Sequence, residues 1–127
     1  MKQTMLQNFK VTEGEYGSIL EVLYHSIETQ KYDLTEKDCF DEVDDFITLN
    51  SIRKRFLVND YLEKGLFVYP FEIPCLLKYI NKFLNTEANR DTINELESVK
   101  NKFKNLIQKL VKSFDETQKM LESAGTC

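Results

Sequence analysis

Residues 91–123 contain the longest helical pattern in the chain and read DTINELESVKNKFKNLIQKLVKSFDETQKMLES. Apolar residues recur every seven positions on three registers: Ile93, Ile107, Phe114 and Leu121; Leu96, Phe103 and Leu110; Val99, Leu106 and Met120. Because three registers are occupied, the apolar band is broader than the seam of a two-stranded coiled coil, and it predicts a helix packed in a bundle. Thirty helical residues span roughly 45 Å. The far end is therefore expected to protrude from the bundle or to pair with another chain, as a homo-oligomer.

The rest of the chain also shows helical spacing of its apolar residues. It predicts helices over about 16–30, 36–49, 51–64 and 74–85, the second capped by Thr35 and the third by Asn50 or Ser51. Only four Gly and two Pro occur in 127 residues, too few for the frequent turns of a β-sandwich or barrel. We therefore expect an all-α, four- or five-helix bundle, with a short extended N-terminal arm, as one helical domain over 1–127.

One aromatic stretch does not fit a helix. Residues 65–73 read GLFVYPFEI, and Pro70 cannot donate a hydrogen bond to a sheet, so a packed crossover or an edge strand is expected. If the stretch covers the bundle, it is part of the core. If it is exposed, Phe67, Tyr69 and Phe71 form an apolar patch that binds a partner.

Charge is distributed unevenly along the chain. The net charge is −4, but residues 1–50 carry four Lys/Arg against eleven Asp/Glu, a net of −7, whereas residues 51–127 carry a net of +3. Part of the acidic excess lies in one cluster, on the polar side of the second predicted helix: Asp38, Asp41, Glu42, Asp44 and Asp45. A metal site is not expected there, since the cluster lacks a paired His or a calcium-loop glycine. A solvated helix face explains the pattern, and the functional alternative is a surface that attracts a basic protein partner.

Basic residues offer an alternative hypothesis. A nucleic-acid-binding regulator would use Arg53, Lys54 and Arg55, together with Lys100 and Lys104 of the last helix. The lysines of that helix scatter over more than half of its circumference, which is typical of a solvated helix. We therefore do not expect nucleic acid to be the main partner.

No pattern of catalytic or metal-binding residues is present. His25 is the only histidine, the three cysteines form no CxxC pair, and no glycine-rich phosphate loop occurs. No cofactor, metal or catalytic residue is predicted. The N-terminus lacks the apolar run of a signal peptide, and no segment approaches the roughly 18 apolar residues of a membrane span. The sequence thus predicts a cytoplasmic protein in a reducing compartment, with no membrane contact.

These observations favour a small, acidic, non-enzymatic interaction protein. It would regulate or inhibit a protein partner through surface contacts, using the acidic cluster and the aromatic stretch. The hypothesis depends on the charge distribution, on the overlong C-terminal helix and on the absence of catalytic patterns.

Overall fold

The computed structural model describes residues 6–58, 61–87 and 89–125. In chain order its elements are β1 (Gln7–Phe9), α1 (Glu13–Thr35), α2 (Val43–Val58), α3 (Tyr61–Lys64), β2 (Leu66–Val68), a 3₁₀ turn (Pro70–Glu72), α4 (Ile73–Leu84) and α5 (Arg90–Gly125). The all-α prediction is confirmed: four long helices and one short helix make up most of the described chain, and α5 is the longest. The extended N-terminal arm is β1.

Helix α1 begins earlier than the sequence pattern indicated. The Thr12 hydroxyl accepts a hydrogen bond from the Glu15 amide at 3.1 Å, and the Glu15 carboxylate accepts one from the Thr12 amide at 2.9 Å. This capping box satisfies two amides that would otherwise lack partners at the helix start. The predicted start near residue 16 was therefore wrong, because the motif TEGE at residues 12–15 already contains the cap.

The predicted boundaries of the helices over 36–49 and 51–64 were wrong, although residues 43–49, 51–58 and 61–64 are helical. Helix α1 continues through Thr35, whose hydroxyl donates to the Lys31 carbonyl rather than capping a new helix. A loop follows, in which Asp38 has a positive φ of 52°. A single helix, α2, then runs through the positions predicted to separate two helices, and residues 59 and 60 lie outside the described ranges. Its buried residues, Leu49, Ile52 and Phe56, form one continuous stripe.

The two strands form a small antiparallel sheet that joins the N-terminal arm to the middle of the chain. Gln7 pairs with Val68 and Phe9 pairs with Leu66. Gly65 precedes β2 with a φ of +80°, and a Cβ there would lie 2.6 Å from the Phe9 carbonyl oxygen. Only glycine fits this position without strain, so the tight approach of the strands depends on it.

Helix α1 occupies the centre of the bundle, where it packs against α2, α4 and α5. The core contains 18 buried apolar side chains from β1, β2 and the four long helices: Phe9, Ile19, Val22, Leu23, Ile27, Leu49, Ile52, Phe56, Leu66, Val68, Ile73, Leu76, Tyr79, Ile80, Leu96, Val99, Phe103 and Leu106. The contribution of α5 ends at Leu106, although the helix continues to Gly125. About half of α5 thus lies beyond its last buried residue.

Candidate interaction surfaces

The distal part of α5, residues 111–124, is exposed at every position. Its large apolar side chains are also exposed: Val111 by 54%, Phe114 by 66%, Met120 by 72% and Leu121 by 61%. The protrusion predicted from the helix length is confirmed. A helical extension of this length gains little stability from its own hydrogen bonds. Most helices in proteins are stabilised instead by the packing of an apolar face.

Three of the four large apolar residues of this segment lie on one side of the helix. At 100° per residue, Phe114 and Leu121 lie within about 20° of each other, and Val111 lies about 60° from Phe114. Lys112, Glu116 and Lys119 occupy the opposite side, where charged side chains contact water. We call the apolar side, with Val111, Phe114 and Leu121, the distal α5 face. Met120 lies about 120° from Phe114 and about 40° from Glu116, so it is not part of this face.

The acidic cluster divides into two groups in the structure. Asp38 and Asp41 lie in the α1–α2 loop and Asp44 in the first turn of α2, and all three are exposed. Among the described residues, no Lys, Arg or His lies within 4 Å of these three carboxylates. These three side chains are available to a partner.

Glu42 and Asp45, in contrast, connect α2 and the preceding loop to α4. The Lys78 ammonium donates to Glu42 at 2.7 Å and to Asp45 at 2.8 Å. The hydrogen bond from Lys78 lowers the pKa of Glu42. Burial acts to raise the pKa of Asp45, but hydrogen bonds from Lys78 and Tyr79 outweigh it and the pKa is lowered. These two predicted partner residues thus already make intramolecular ion pairs.

A buried polar chain continues from Asp45 into α1. The Tyr79 hydroxyl donates to the Asp45 carboxylate at 2.7 Å and accepts a hydrogen bond from the Gln30 amide nitrogen. Burial and the nearby Asp45 charge raise the pKa of the Tyr79 hydroxyl. The Gln30 side-chain oxygen is buried and has no hydrogen-bond partner in the described chain. Gln30 and Tyr79 also line a groove of about 240 Å³ between α1 and α4.

The aromatic stretch is mainly a lid on the core. Leu66, Val68 and Ile73 are fully buried, whereas Phe67 and Tyr69 are half-buried. Phe71 is 62% exposed and stacks on Tyr69, with ring centroids 5.7 Å apart and an interplanar angle of 18°. Of the three predicted partner residues, only Phe71 presents most of its side chain to solvent.

Arg55 is part of the bundle rather than of a basic surface. Its guanidinium forms two hydrogen bonds of 2.7 Å with the Glu72 carboxylate and donates to the Phe67 carbonyl at 3.1 Å. Glu72 is 2% exposed and also accepts from the Tyr69 amide. The hydrogen bond to Glu72 raises the pKa of Arg55.

The other predicted nucleic-acid residues differ in exposure and in contacts. Arg53 is half-buried with its guanidinium 5.7 Å from the Tyr24 ring centroid, and Lys100 is half-buried and paired with Glu97 at 3.6 Å. Lys54 and Lys104 are exposed, but they lie on α2 and α5, which pack against α1. Of the five predicted residues, only Lys54 and Lys104 are thus exposed, and the other three make contacts within the chain.

A charged cluster that sequence analysis missed joins the start of α1 to α5. Glu15 is 5% exposed, and its carboxylate accepts hydrogen bonds from Lys102 at 2.6 Å and from Ser98. Next to it, Ser18 donates to Glu95 at 2.6 Å. Burial acts to raise the pKa of Glu15, but the bonds from Lys102, Ser98 and Thr12 outweigh it, and the pKa is lowered. The TEGE motif signals the cap, but no sequence pattern identifies Lys102 as its partner.

We expect the Glu15→Gln variant to be less stable than the wild type by about 1.5–3 kcal/mol near pH 7, because a buried carboxylate loses charge-assisted hydrogen bonds. The pKa of Glu15 is lower in the folded state than in the unfolded state, where it is near 4.5, so the ionised carboxylate stabilises the fold above about pH 4.5. This contribution is lost as the pH falls through the folded pKa. The difference between the two proteins should therefore shrink below about pH 4.5. Urea unfolding at pH 7 and pH 3 measures it.

The matched control is Glu13→Gln, which changes an exposed carboxylate in the same helical turn. It should shift the free energy of unfolding by less than about 0.5 kcal/mol at either pH. Equal losses for the two variants would contradict the role assigned to Glu15.

The described chain shows no group of three or more His, Cys, Asp or Glu side chains that could hold a metal ion. His25 and Cys39 are exposed, Cys75 is half-buried, and Cys127 lies outside the described residues. Burial and the Asp45 charge raise the pKa of the Cys75 thiol to about 12, which makes it a poor nucleophile. No helix in the described ranges is both long and apolar enough to cross a membrane.

Comparisons of the chain with protein-family models, with curated proteins and with solved structures found no match. The fold alone thus defines the class of protein: an all-α bundle with a protruding C-terminal helix. The distal α5 face, which sequence analysis did not select as a site, carries three large apolar side chains that are each more than half exposed.

Proposed function

We propose that this protein is a small, non-enzymatic interaction protein that regulates or inhibits a protein partner through surface contacts. The distal α5 face carries the proposal: three large apolar side chains, each more than half exposed, lie along one side of a helix that extends beyond the core. Exposed apolar surface of this kind is typical of protein-binding sites, since covering it with protein removes it from water.

The exposed acidic group supports the proposal further. Asp38, Asp41 and Asp44 have no ion-pair partner among the described residues, so a basic surface can approach them without breaking an internal ion pair. Phe71 adds a separate exposed aromatic side chain. Charge complementarity of this kind mainly raises the association rate and the specificity, whereas buried apolar side chains supply most of the affinity.

The free cysteine thiols are evidence about the redox state of the cellular compartment. Cys39 and Cys75 form no disulfide in the described chain. Free cysteines of this kind are typical of reducing compartments, and they support our proposal of a cytoplasmic location.

The experiment compares quantitative affinity capture by the tagged full-length chain and by two double variants. The first variant, Phe114→Gln/Leu121→Gln, removes two apolar side chains from the distal α5 face. The second, Glu116→Gln/Lys119→Gln, is a matched control on the polar side of the same helix. Both leave the net charge unchanged.

We expect the first variant to recover at least about tenfold less of a specific protein partner, since each apolar anchor contributes about 1 kcal/mol or more. The control should recover it within about twofold of the wild type. Recovery that does not depend on Phe114 and Leu121 would contradict the proposal. An Asp38→Asn/Asp41→Asn/Asp44→Asn variant should cause a smaller, salt-dependent loss. Glu42 and Asp45 are left unchanged, because replacing them would break the contact with α4.

A further inference from the structure

A groove at the end of α1 is lined mainly by acidic and polar side chains. It has a volume of about 210 Å³, and α1 and the α1–α2 loop supply the residues that line it: Gln30, Asp33, Leu34, Cys39, Asp41 and Glu42. Three of the six are carboxylates, and none is Lys, Arg or His. We call this feature the acidic groove. It adjoins the groove of about 240 Å³ between α1 and α4, because Gln30, Asp33 and Glu42 line both.

Two of the three carboxylates are available to a ligand. Asp41 is exposed and has no ion-pair partner among the described residues. Asp33 makes only a contact of 3.8 Å with Lys37, whose side chain is 61% exposed. Glu42, in contrast, is held by Lys78 at 2.7 Å. The acidic groove therefore contains negative charge that internal ion pairs compensate only in part.

A buried hydrogen-bond acceptor belongs to the same groove. Gln30 is 4% exposed, and it forms the inner wall because it is the only fully buried residue of the six. Its amide nitrogen donates to the Tyr79 hydroxyl, whereas its side-chain oxygen has no donor in the described chain. A buried carbonyl oxygen without a donor costs free energy. A ligand that brings an N–H group to this oxygen thus gains a hydrogen bond that the unbound chain lacks.

The end of α1 adds to the attraction for a positive charge. Its last turn contains no basic residue, so the partial negative charge of the helix C-terminus is not compensated within the helix. No three His, Cys, Asp or Glu side chains of the described chain are placed to hold one metal ion. A guanidinium is larger and presents five N–H donors in one plane, so it reaches acceptors that lie further apart. The groove has the volume of about seven water molecules, enough for the end of one arginine side chain.

We propose that the acidic groove binds a guanidinium group, presented by an arginine side chain of a basic protein partner. The guanidinium pairs with the Asp33 and Asp41 carboxylates and donates to the Gln30 side-chain oxygen, while the aliphatic stem contacts Leu34. This inference rests on the proposed function, because it names the chemical group by which the partner is recognised. Asp38 and Asp44 do not line the groove, although the sequence places them in the same cluster as Asp41.

An NMR titration of the full chain with a blocked tripeptide tests the proposal. The probe is acetyl-glycyl-arginyl-glycinamide, and in its control citrulline, which has nearly the same shape but no charge, replaces the arginine. We expect the arginine peptide to shift the side-chain amide signal of Gln30 with a Kd on the order of 1 mM, because a single side chain in an open groove binds weakly. The citrulline peptide should bind at least about tenfold more weakly. Equal affinity for the two peptides, or no shift at Gln30, would overturn the proposal.

Two double variants with the same change of charge distinguish the groove from the acidic surface as a whole. Asp33→Asn/Asp41→Asn changes two lining residues and should weaken binding of the arginine peptide at least about fivefold. Asp38→Asn/Asp44→Asn is the matched control, since both residues are exposed and lie outside the groove, and it should bind within about twofold of the wild type. Equal losses in the two variants would show a general attraction of charge and overturn the proposal. Tighter binding of free arginine than of the blocked peptide would overturn the assignment to a protein side chain.

The inference and the proposed function can fail separately. If the arginine peptide binds as described, but the chain recovers no protein through the distal α5 face, the inference is supported and the proposed function is overturned. If the chain recovers a partner in a Phe114- and Leu121-dependent way, but the arginine peptide does not bind, the proposed function is supported and the inference is overturned.

Discussion

The Arg55→Leu variant is expected to lose about 3–5 kcal/mol of the free energy of unfolding. The guanidinium makes two hydrogen bonds of 2.7 Å with the Glu72 carboxylate, and the Glu72 side chain is only 3% exposed. Without Arg55, a buried carboxylate remains with the Tyr69 amide as its nearest hydrogen-bond donor. Removing one partner of a buried ion pair lowers the free energy of unfolding, because the other partner remains buried as a charge without compensation. Chemical denaturation at pH 7 measures the loss.

Two further variants distinguish the loss of the Arg55–Glu72 ion pair from a general effect of removing a positive charge. Lys54→Leu changes the exposed neighbouring residue and should alter stability by less than about 0.5 kcal/mol. Arg55→Leu/Glu72→Gln removes both charges and should recover part of the loss, because no ionised group is then left buried and unpaired. A double variant no more stable than Arg55→Leu would contradict the explanation.

The second large effect is expected for Phe103→Ala, at about 3–5 kcal/mol. Phe103 is fully buried on α5, and its ring meets the Phe9 ring edge-on at a centroid distance of 5.0 Å. Removing it leaves a cavity and also removes the contact that holds β1 against α5. Thermal or urea unfolding measures the change, and hydrogen exchange at β1 should become faster.

Phe114→Ala is the matched control, since it makes the same substitution further along the same helix, outside the core. In dilute, monomeric protein it should change stability by less than about 0.5 kcal/mol. If Phe114→Ala and Phe103→Ala had equal effects on the monomer, the bundle would extend along α5 and the distal α5 face would not be exposed.

Sequence patterns were most accurate where polar and apolar residues alternated clearly over a long helix. The predicted ranges 74–85 and 91–123 differ by at most two residues from Ile73–Leu84 and Arg90–Gly125. Pro74 near the start of α4 and the long apolar repeat of α5 are local signals. Because each depends only on residues close in sequence, the packing of the helices does not override it.

Around Asp38 local signals led to a wrong prediction. Cys39 and Phe40 continue an apparent helical stripe with Val43, but both lie exposed in the α1–α2 loop. The positive φ of Asp38 interrupts the helix there, and a side-chain pattern does not report backbone conformation. The buried stripe of α2 instead begins at Leu49, nearly two turns after Val43.

The polar contacts of the bundle were not predictable from the sequence for a different reason. Arg55 and Glu72 are 17 positions apart and Glu15 and Lys102 are 87 positions apart, so only the packing of the helices brings each pair together. The protruding part of α5, in contrast, follows from helix length alone. The surface proposed to bind a partner therefore lies in the part of the structure that the sequence already predicts.

The most direct test of that account is hydrogen exchange at residues 111–124 in tagged chain recovered natively from the cells that express it, with any protein bound to it. If protein covers the distal α5 face, amides of this segment should exchange at least about tenfold more slowly in the wild type than in Phe114→Gln/Leu121→Gln. Glu116→Gln/Lys119→Gln should behave as the wild type. Equally fast exchange in all three proteins would contradict the claim that this face is an interaction surface.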